Sequence, residues 1–329
     1  MLRYIGKRIL ILIPTLLVIT IVVQLFIIIT PGDPARMMAG TQVSEEEVEA
    51  LRVEMGLRDP FIVRYFNYMK SLFRGDFGIS YRTKNSVIKE ILERFPYTLL
   101  LVFCSMALAV LIGIPVGIFA ATHQYTWKDN LSIFLSLFFV SMPSFWFALL
   151  LIQALCVKLK ILPVAGIDHW SGWILPVVTT ALSYAASIAR QMRSNMLEVI
   201  RQDYITTARA KGQTEPKVLY KHALKNAIIP IIMTVGSIFG MAMGGSLVTE
   251  VIFGIPGLGS YTIAALNGRD YPTIQTNVLF LSTLFCLILL LTDVAFAIAD
   301  PRIRAQYAGR SSKTKKMVEK SKEPKGSAA

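Results

Sequence analysis

The residues that most often carry chemistry, histidine, cysteine and the acids, are spaced here in a way that predicts neither catalysis nor metal binding. The histidines are far apart and form no HExxH pattern: His123, His169 and His222. The cysteines lie inside apolar runs without CxxC spacing, as small buried side chains do: Cys104, Cys156 and Cys286. The sequence also lacks a GxxxxGK[ST] phosphate-binding loop. We therefore predict that the chain is not an enzyme by itself and binds no metal or cofactor of its own.

One acid, Asp293, lies deep in an apolar run, where an ionisable group suggests a functional role such as a proton relay. It precedes Asp300 by seven residues, or about 10 Å along a helix, which places it near the end of that run. Pairing with a basic group or hydration at the inner membrane interface is the alternative, and the position of Asp293 favours it.

The elements that must hold these residues are membrane helices. The chain of 329 residues is 54% hydrophobic and 17% charged, with a mean hydropathy of +0.54, which exceeds what a soluble core needs. Because about 20 apolar residues cross a bilayer as a helix, six segments qualify or nearly qualify: 9–29, 97–121, 131–157, 173–189, 228–249 and 278–299. The predicted fold class is an all-α, polytopic membrane protein with six transmembrane helices.

The distribution of Lys and Arg predicts the orientation of these helices, because basic residues stay on the cytoplasmic side of short loops. The N-terminus has three, residues 190–225 have eight against three acids, and the segment after Asp300 has nine against two. We therefore place both termini in the cytoplasm. The predicted division of the chain is a transmembrane helix over 1–30, an extracytoplasmic helical segment over 31–95, a core with five transmembrane helices over 96–302 and a disordered basic tail over 303–329.

The extracytoplasmic segment contains an N-terminal helix signal, with Ser44 as N-cap, acids in the first turn and Gly56 as the stop. This segment is either a docking or lid surface or a folded spacer, and the sequence leaves both open.

A cytoplasmic segment between two apolar runs has the pattern of two short helices joined by a tight turn. Apolar or small residues at helical spacing form one stripe: Leu197, Ile200, Tyr204 and Ala208. Gly212 then predicts a helix end, Thr214 a cap and Pro216 the first turn of a helix that continues into the membrane. A force on the first helix should therefore move the second.

Within this segment, "TTARAKG" followed by "HALKNAIIP" resembles the EAA loop of ATP-binding-cassette (ABC) importer permeases. Thr206 and Thr207 stand where that pattern has Glu and Ala, and Ala208, Gly212 and Leu224 match it; His222 and Lys225 replace its Ile and Pro. "PGDPA", "RGDFGISYRT", "FGIPGLGSYTIAALNGRDYP" and "ADPRIR" are similar to segments of the first permease subunit of dipeptide, oligopeptide or nickel importers.

The resemblance implies the type I ABC importer permease fold in the inner membrane of a prokaryote. It also implies a second permease, two ATPases that bind ATP and Mg, and an extracytoplasmic solute-binding protein, with a peptide as substrate. Nickel as cargo is an alternative within the same architecture. An ion-coupled secondary transporter is a rival from another class, and it would need a charged midplane site and inverted repeats.

Three groups of site residues follow. The coupling loop, 190–227, is expected to contact an ATPase over 203–224, through Asp203, Thr206, Thr207, Ala208, Arg209, Gly212 and Leu224; the alternative is an interfacial helix on anionic lipid. Hydroxyl groups within the spans are candidates for the translocation path, or bond back to their own helices: Ser141, Ser144, Thr180, Ser183, Tyr184 and Ser187. The candidates for an outer gate or receptor contact, or for a tight re-entrant turn, are Gly254, Pro256, Gly257 and Gly259.

Overall fold

The structure of the chain is a computed structural model that describes residues 2–30, 32–40 and 42–299. Within these residues the fold is all-α, with no strand besides one isolated bridge between Ile79 and Ser86. The predicted disordered tail, 303–329, lies outside the described residues.

The helices of the outer and N-terminal part are α1 (Leu2–Ile29), α2 (Pro34–Ala39), α3 (Glu45–Glu54) and α4 (Phe61–Phe73). The core contains α5 (Val87–Thr122), α6 (Trp127–Ser141), α7 (Ser144–Leu151), α8 (Ile174–Ile200), α9 (Asp203–Ala210), α10 (Glu215–Lys217), α11 (Leu224–Ala227), α12 (Ile229–Gly245), α13 (Leu247–Phe253), α14 (Leu258–Asn267) and α15 (Tyr271–Ala299). Two π-helical segments, Ile152–Lys158 and Val218–Ala223, and a 3₁₀ turn, Trp170–Trp173, join them.

Four helices in the described part of the chain are long and apolar enough to cross a membrane unbroken: α1 from Arg8, α5, α8 with its preceding turn, and α15. Three further pairs pass the same test but are bent: α6 with α7 and the π segment by 99°, Glu215–Ala227 with α12 by 52°, and α13 with α14 by 86°. The described residues therefore give four spans, or up to seven if each bent pair is one span.

The predicted third span, 131–157, is broken rather than continuous. α6 ends at Ser141, Met142 adopts an extended conformation with ψ 124°, and Pro143 precedes α7. Proline lacks an amide hydrogen and disfavours a helical conformation in the residue before it, which favours a helix end at Met142. The sequence prediction counted apolar residues and so missed this break.

Other boundaries also differ from the prediction. α5 begins at Val87, ten residues before the predicted span, so the predicted boundary between 95 and 96 falls inside a helix. α8 continues to Ile200, well past residue 189, because its last turns are amphipathic and pack against the cytoplasmic segment. The predicted fifth span, 228–249, contains α12 and the start of α13.

The centre of the molecule is the contact between α5 and α8, the most extensive helix pair among the described elements. Gly113 and Gly117 lie on this contact, and a Cβ on Gly117 would be 2.5 Å from the carbonyl oxygen of Ala189. Glycines at four-residue spacing therefore let the two backbones touch. A Cβ on Gly240 in α12 would be 3.0 Å from the Phe285 ring, whereas a Cβ on Gly244 would meet nothing within 4 Å.

Helix α3 of the outer segment begins with the predicted N-cap, since the Ser44 side chain and Glu47 form a reciprocal capping box. Arg52 then ties α3 to the N-cap of α2, with nitrogen–oxygen distances of 2.6 Å to Asp33 and 2.7 Å to Glu49. Hydrogen bonds from Arg58 and Arg52 lower the pKa of Glu49 to about 2.

Candidate coupling and gate sites

The predicted pair of cytoplasmic helices is present, and we call residues 201–227 the elbow. α8 stops at Ile200, α9 begins at Asp203, and Gly212 follows α9 with φ +74°, a left-handed conformation that glycine adopts without strain. Thr214 then occupies the N-cap position of α10, although its side chain makes no capping hydrogen bond. The predicted turn therefore lies at Gly212.

The buried stripe of α9 differs from the prediction in one residue. The chain breaks between α8 and α9, which shifts the helical register, so Tyr204 is 42% exposed while Ile205 is fully buried. Ile205 and Ala208 pack with Val218 and Ala223 of the second arm into the same core cluster as Met196 of α8. Both arms of the elbow are therefore packed onto the transmembrane core.

The opposite side of the elbow is free of contacts with the described core. Asp203, Thr206, Thr207, Arg209 and Gly212 are exposed there, whereas Ala208 faces inward and Leu224 is half-buried against the core. The structure thus divides the predicted coupling residues into an exposed group of five and an inward pair.

Polar contacts hold the two arms of the elbow together. Arg209 of α9 donates two hydrogen bonds to the Glu215 carboxylate of α10, at 2.7 and 3.3 Å. Asn226 Nδ2 donates to the Tyr204 hydroxyl at 2.7 Å. The His222 ring nitrogen lies 2.8 Å from the Gln213 side-chain oxygen. The Arg209–Glu215 and Asn226–Tyr204 contacts connect the two sides of the Gly212 turn, so α9 and the start of the next span should move as one body.

A buried ion pair lies near the elbow, at the junction of α6 and α8. Arg193 donates two hydrogen bonds to Asp129, at 2.6 and 2.7 Å, and Asp129 also accepts from the Tyr125 amide at 3.1 Å. Asp129 is almost fully buried. The sequence analysis did not identify this pair, because its members are far apart in the chain.

The GIPGLG loop at the opposite end of the molecule is built around one carboxylate. Glu250, which is fully buried, accepts hydrogen bonds from the hydroxyls of Thr98 at 2.7 Å and Ser246 at 2.9 Å and from the amide of Ser260 at 2.9 Å. Gly257 packs directly on this carboxylate, and a Cβ there would overlap it. The Thr98 hydroxyl also accepts from the Leu258 amide at 2.8 Å, so Glu250 and Thr98 together fix the loop to α5 and α13.

Glu250 is not among the gate residues that the sequence predicts. The side chain is buried because α13 folds back against α5 and α14, contacts that the linear sequence does not reveal. Of the predicted gate residues, Gly254 is exposed in a left-handed turn, Pro256 is half-buried, and Gly257 and Gly259 are buried. The loop borders an open cavity of 660 Å³ that Arg82 and Asn267 also line.

Four of the six predicted path residues lie at helical spacing on one face of α8: Thr180, Ser183, Tyr184 and Ser187. Ser141 and Ser144 are exposed on either side of the break before α7, and Ser187 bonds back to its own helix at 3.2 Å. Thr180 is buried, with its hydroxyl 3.4 Å from that of Thr249. Two further predicted residues, Ser183 and Tyr184, are partly buried on α8.

Asp293 lies beside a basic group, as the sequence favoured. Its carboxylate is 3.1 Å from the Arg8 guanidinium. The pair joins the start of α1 to the last turns of α15, so these two helix ends lie next to each other.

The four long apolar helices and the three bent pairs define a class, a helical protein that crosses a membrane several times. Residues 113–305 match the family described as "binding-protein-dependent transport system inner membrane component", and residues 1–102 match the N-terminal family of the same systems. The chain belongs to this family of transport-system membrane components.

The sequence is similar to known permeases along almost the whole chain. The glutathione transport system permease protein GsiC of Escherichia coli K12 is 41% identical over 304 residues, covering 92% of this chain and 99% of that protein. The protein of the same name from Salmonella typhimurium is 42% identical with the same coverage.

A solved structure of inward-facing MetNI, a methionine ABC transporter, superposes on this chain with a TM-score of 0.56 at 20% identity. It covers 65% of this chain and 97% of that one, and at this identity the likeness shows the shared fold alone.

Proposed function

We propose that this chain is the first of two permease subunits of an ABC importer, and that the pair forms a path for small peptides, glutathione among them. The relatives over 92% of the chain are permeases of glutathione transport systems, which supports this substrate class. A second permease, two ATPases that hold ATP and Mg, and an extracytoplasmic binding protein complete the assembly that we propose.

The observation that carries the proposal is the division of the elbow into two faces. One face, containing Ile205 and Ala208, is buried in the same cluster as the transmembrane helices, whereas Asp203, Thr206 and Arg209 are exposed. A partner that binds the exposed face can therefore rotate the transmembrane helices without unfolding the elbow, as rigid-body alternating access requires. We assign that partner to the ATPase.

We further propose six spans with both termini in the cytoplasm. The Arg8–Asp293 pair supports a common side for the start of α1 and the end of α15, and the excess of Lys and Arg there supports the cytoplasmic side. In this topology α13 and α14 form a re-entrant pair rather than a seventh span. The position of Asp293 near the inner end, beside Arg8, also argues against the midplane charge of an ion-coupled transporter.

The test replaces Gly212 with a larger residue. A Cβ at this position would meet no atom within 4 Å, so the substitution acts on the backbone conformation and causes no steric clash. In Gly212→Val a β-branched residue must adopt φ +74° at a cost of about 1–2 kcal/mol, which corresponds to a factor of roughly 5–30 in a conformational equilibrium. We expect peptide uptake per ATP hydrolysed to fall by that factor in proteoliposomes. The matched control is Gly212→Asn, because asparagine tolerates the left-handed region.

Normal coupling in Gly212→Val, with normal insertion, would refute the role of the elbow. Affinity purification of the tagged chain tests the assembly separately. Recovery of a second permease and two ATPases is the expected result, and transport by the chain alone in liposomes, driven by an ion gradient, would overturn the importer assignment.

A further inference from the structure

Helix α4, in the outer segment, has one face packed on the membrane helices. The Tyr65 hydroxyl is 3.0 Å from that of Thr20 in α1. Tyr68 and Ser71, on the same side of α4, line a pocket of 300 Å³ together with Gln24 of α1 and Gln275 of α15. α4 therefore lies against the outer parts of α1 and α15.

The opposite face of α4 is apolar and exposed. Ile62, Phe66 and Phe73 are 77%, 67% and 83% exposed, and their spacing of four and seven residues places them on one stripe of the helix. We call these three residues the outer stripe. Three large apolar side chains exposed on a helix surrounded by water would be unfavourable, because their apolar surface would stay in contact with water.

The depth of α4 indicates what covers the outer stripe. Thr20 follows Arg8 by 12 residues, about 18 Å along α1, and Arg8 marks the inner end through its pair with Asp293. A hydrocarbon core is about 30 Å thick, so Thr20 lies roughly 12 Å below its outer edge. Because Tyr65 reaches Thr20, α4 lies within one side-chain length of that depth, at the level of the outer leaflet rather than in water.

The surroundings of α4 agree with a lipid environment. α1 exposes apolar side chains on the faces that do not pack on the protein, with Phe26 72% and Ile29 78% exposed, so the helix beside α4 is bordered by lipid. At the C-terminal end of the outer stripe, Lys70 and Arg74 are exposed and basic. This combination of an apolar stripe with flanking basic residues is typical of helices that lie in a membrane interface.

We propose that α4 is an interfacial helix of the outer leaflet, with the outer stripe at the level of the acyl chains and with Lys70 and Arg74 at the lipid phosphates. α4 then anchors the outer segment to the bilayer surface beside α1.

The experiment uses the full-length chain, with the subunits that copurify with it, in vesicles of phosphatidylethanolamine and phosphatidylglycerol. A nitroxide is attached to Phe66→Cys, or to Glu46→Cys on the exposed surface of α3 as the matched control. Two of the native cysteines are buried and the third is half-buried, so the parent chain gives the background signal. Accessibility to oxygen, which concentrates in lipid, is compared with accessibility to a water-soluble nickel chelate.

We expect the ratio of oxygen to nickel accessibility at residue 66 to exceed that at residue 46 several-fold. Equal ratios would mean that the outer stripe faces water and would overturn the proposal. Low accessibility of residue 66 to both reagents would mean that a protein partner covers the stripe, which would overturn it as well. Uptake by the labelled protein verifies that the substitution leaves the fold intact.

Discussion

The buried carboxylate of Glu250 offers the sharpest test of how the outer loop is held. In Glu250→Gln, the new amide oxygen can accept from Thr98 and Ser246, but its NH₂ group then faces the amide of Ser260. One buried backbone donor is left unsatisfied, which costs about 1–3 kcal/mol. In Glu250→Ala all three donors lose their acceptor and a cavity remains, so we expect about 3–5 kcal/mol.

The assay is thermal unfolding of the detergent-solubilised chain, followed by loss of its monodisperse peak on size-exclusion chromatography. The expected order of melting temperature is wild type, then Glu250→Gln, then Glu250→Ala, with several degrees between the first and the last. The control is Glu54→Ala, an exposed acid of α3, which should leave the melting temperature unchanged. If Glu250→Ala melted with the wild type, the carboxylate would not hold the loop.

Three other predictions concern packing, an ion pair and pH. Gly117→Ala should destabilise the chain by about 1–3 kcal/mol, because its Cβ would press on the backbone of α8, whereas Gly244→Ala, in open space, should not. Asp129→Asn should lower the melting temperature, because Arg193 would lose its charged partner in a largely buried site. The stability that the Glu49 carboxylate gives α3 should be present above its ordinary pKa of 4.5 and be lost as the pH falls towards 2, since its folded pKa is lowered. Hydrogen exchange of residues 45–58 measures this loss.

Each of these predictions has a result that contradicts it. Equal melting temperatures for the two glycine variants would mean that α5 and α8 can separate without cost. Recovery of stability in the double variant Asp129→Asn, Arg193→Gln would support the ion pair, and a further loss would contradict it. Protection of α3 that is unchanged between pH 5 and pH 2.5 would show that Glu49 does not stabilise the outer segment.

Local patterns in the sequence predicted the features that depend on neighbouring residues. The turn at Gly212 and the capping box at Ser44 are set by backbone preferences within a few positions, and both are present. The close approach at Gly117 follows from glycines on one helix face. These signals act over one or two helical turns, so a single sequence contains them.

Features that depend on distant contacts or on helix direction were missed. The environment of Glu250 includes Thr98, which is 152 positions away in the chain. The sequence placed Tyr204 on the buried stripe, whereas Ile205 is the buried residue, because the helix ends at Ile200 and the register of α9 is shifted. A count of apolar residues measures the hydrophobicity of a segment and does not reveal where a helix ends or bends.

The break at Met142 and Pro143 has a consequence for the wall of the transport path. α6 has 15 residues and is about 22 Å long, too short for a core of about 30 Å, and the chain then leaves its axis by 99°. Carbonyl groups at the end of α6 thus lose their helical partners at membrane depth, where hydrocarbon offers no hydrogen bonds. The Phe139 carbonyl accepts instead from the Ser183 hydroxyl of α8 at 3.4 Å. We expect the remaining carbonyls at this corner to face protein or water, because exposure to lipid would leave them without hydrogen bonds.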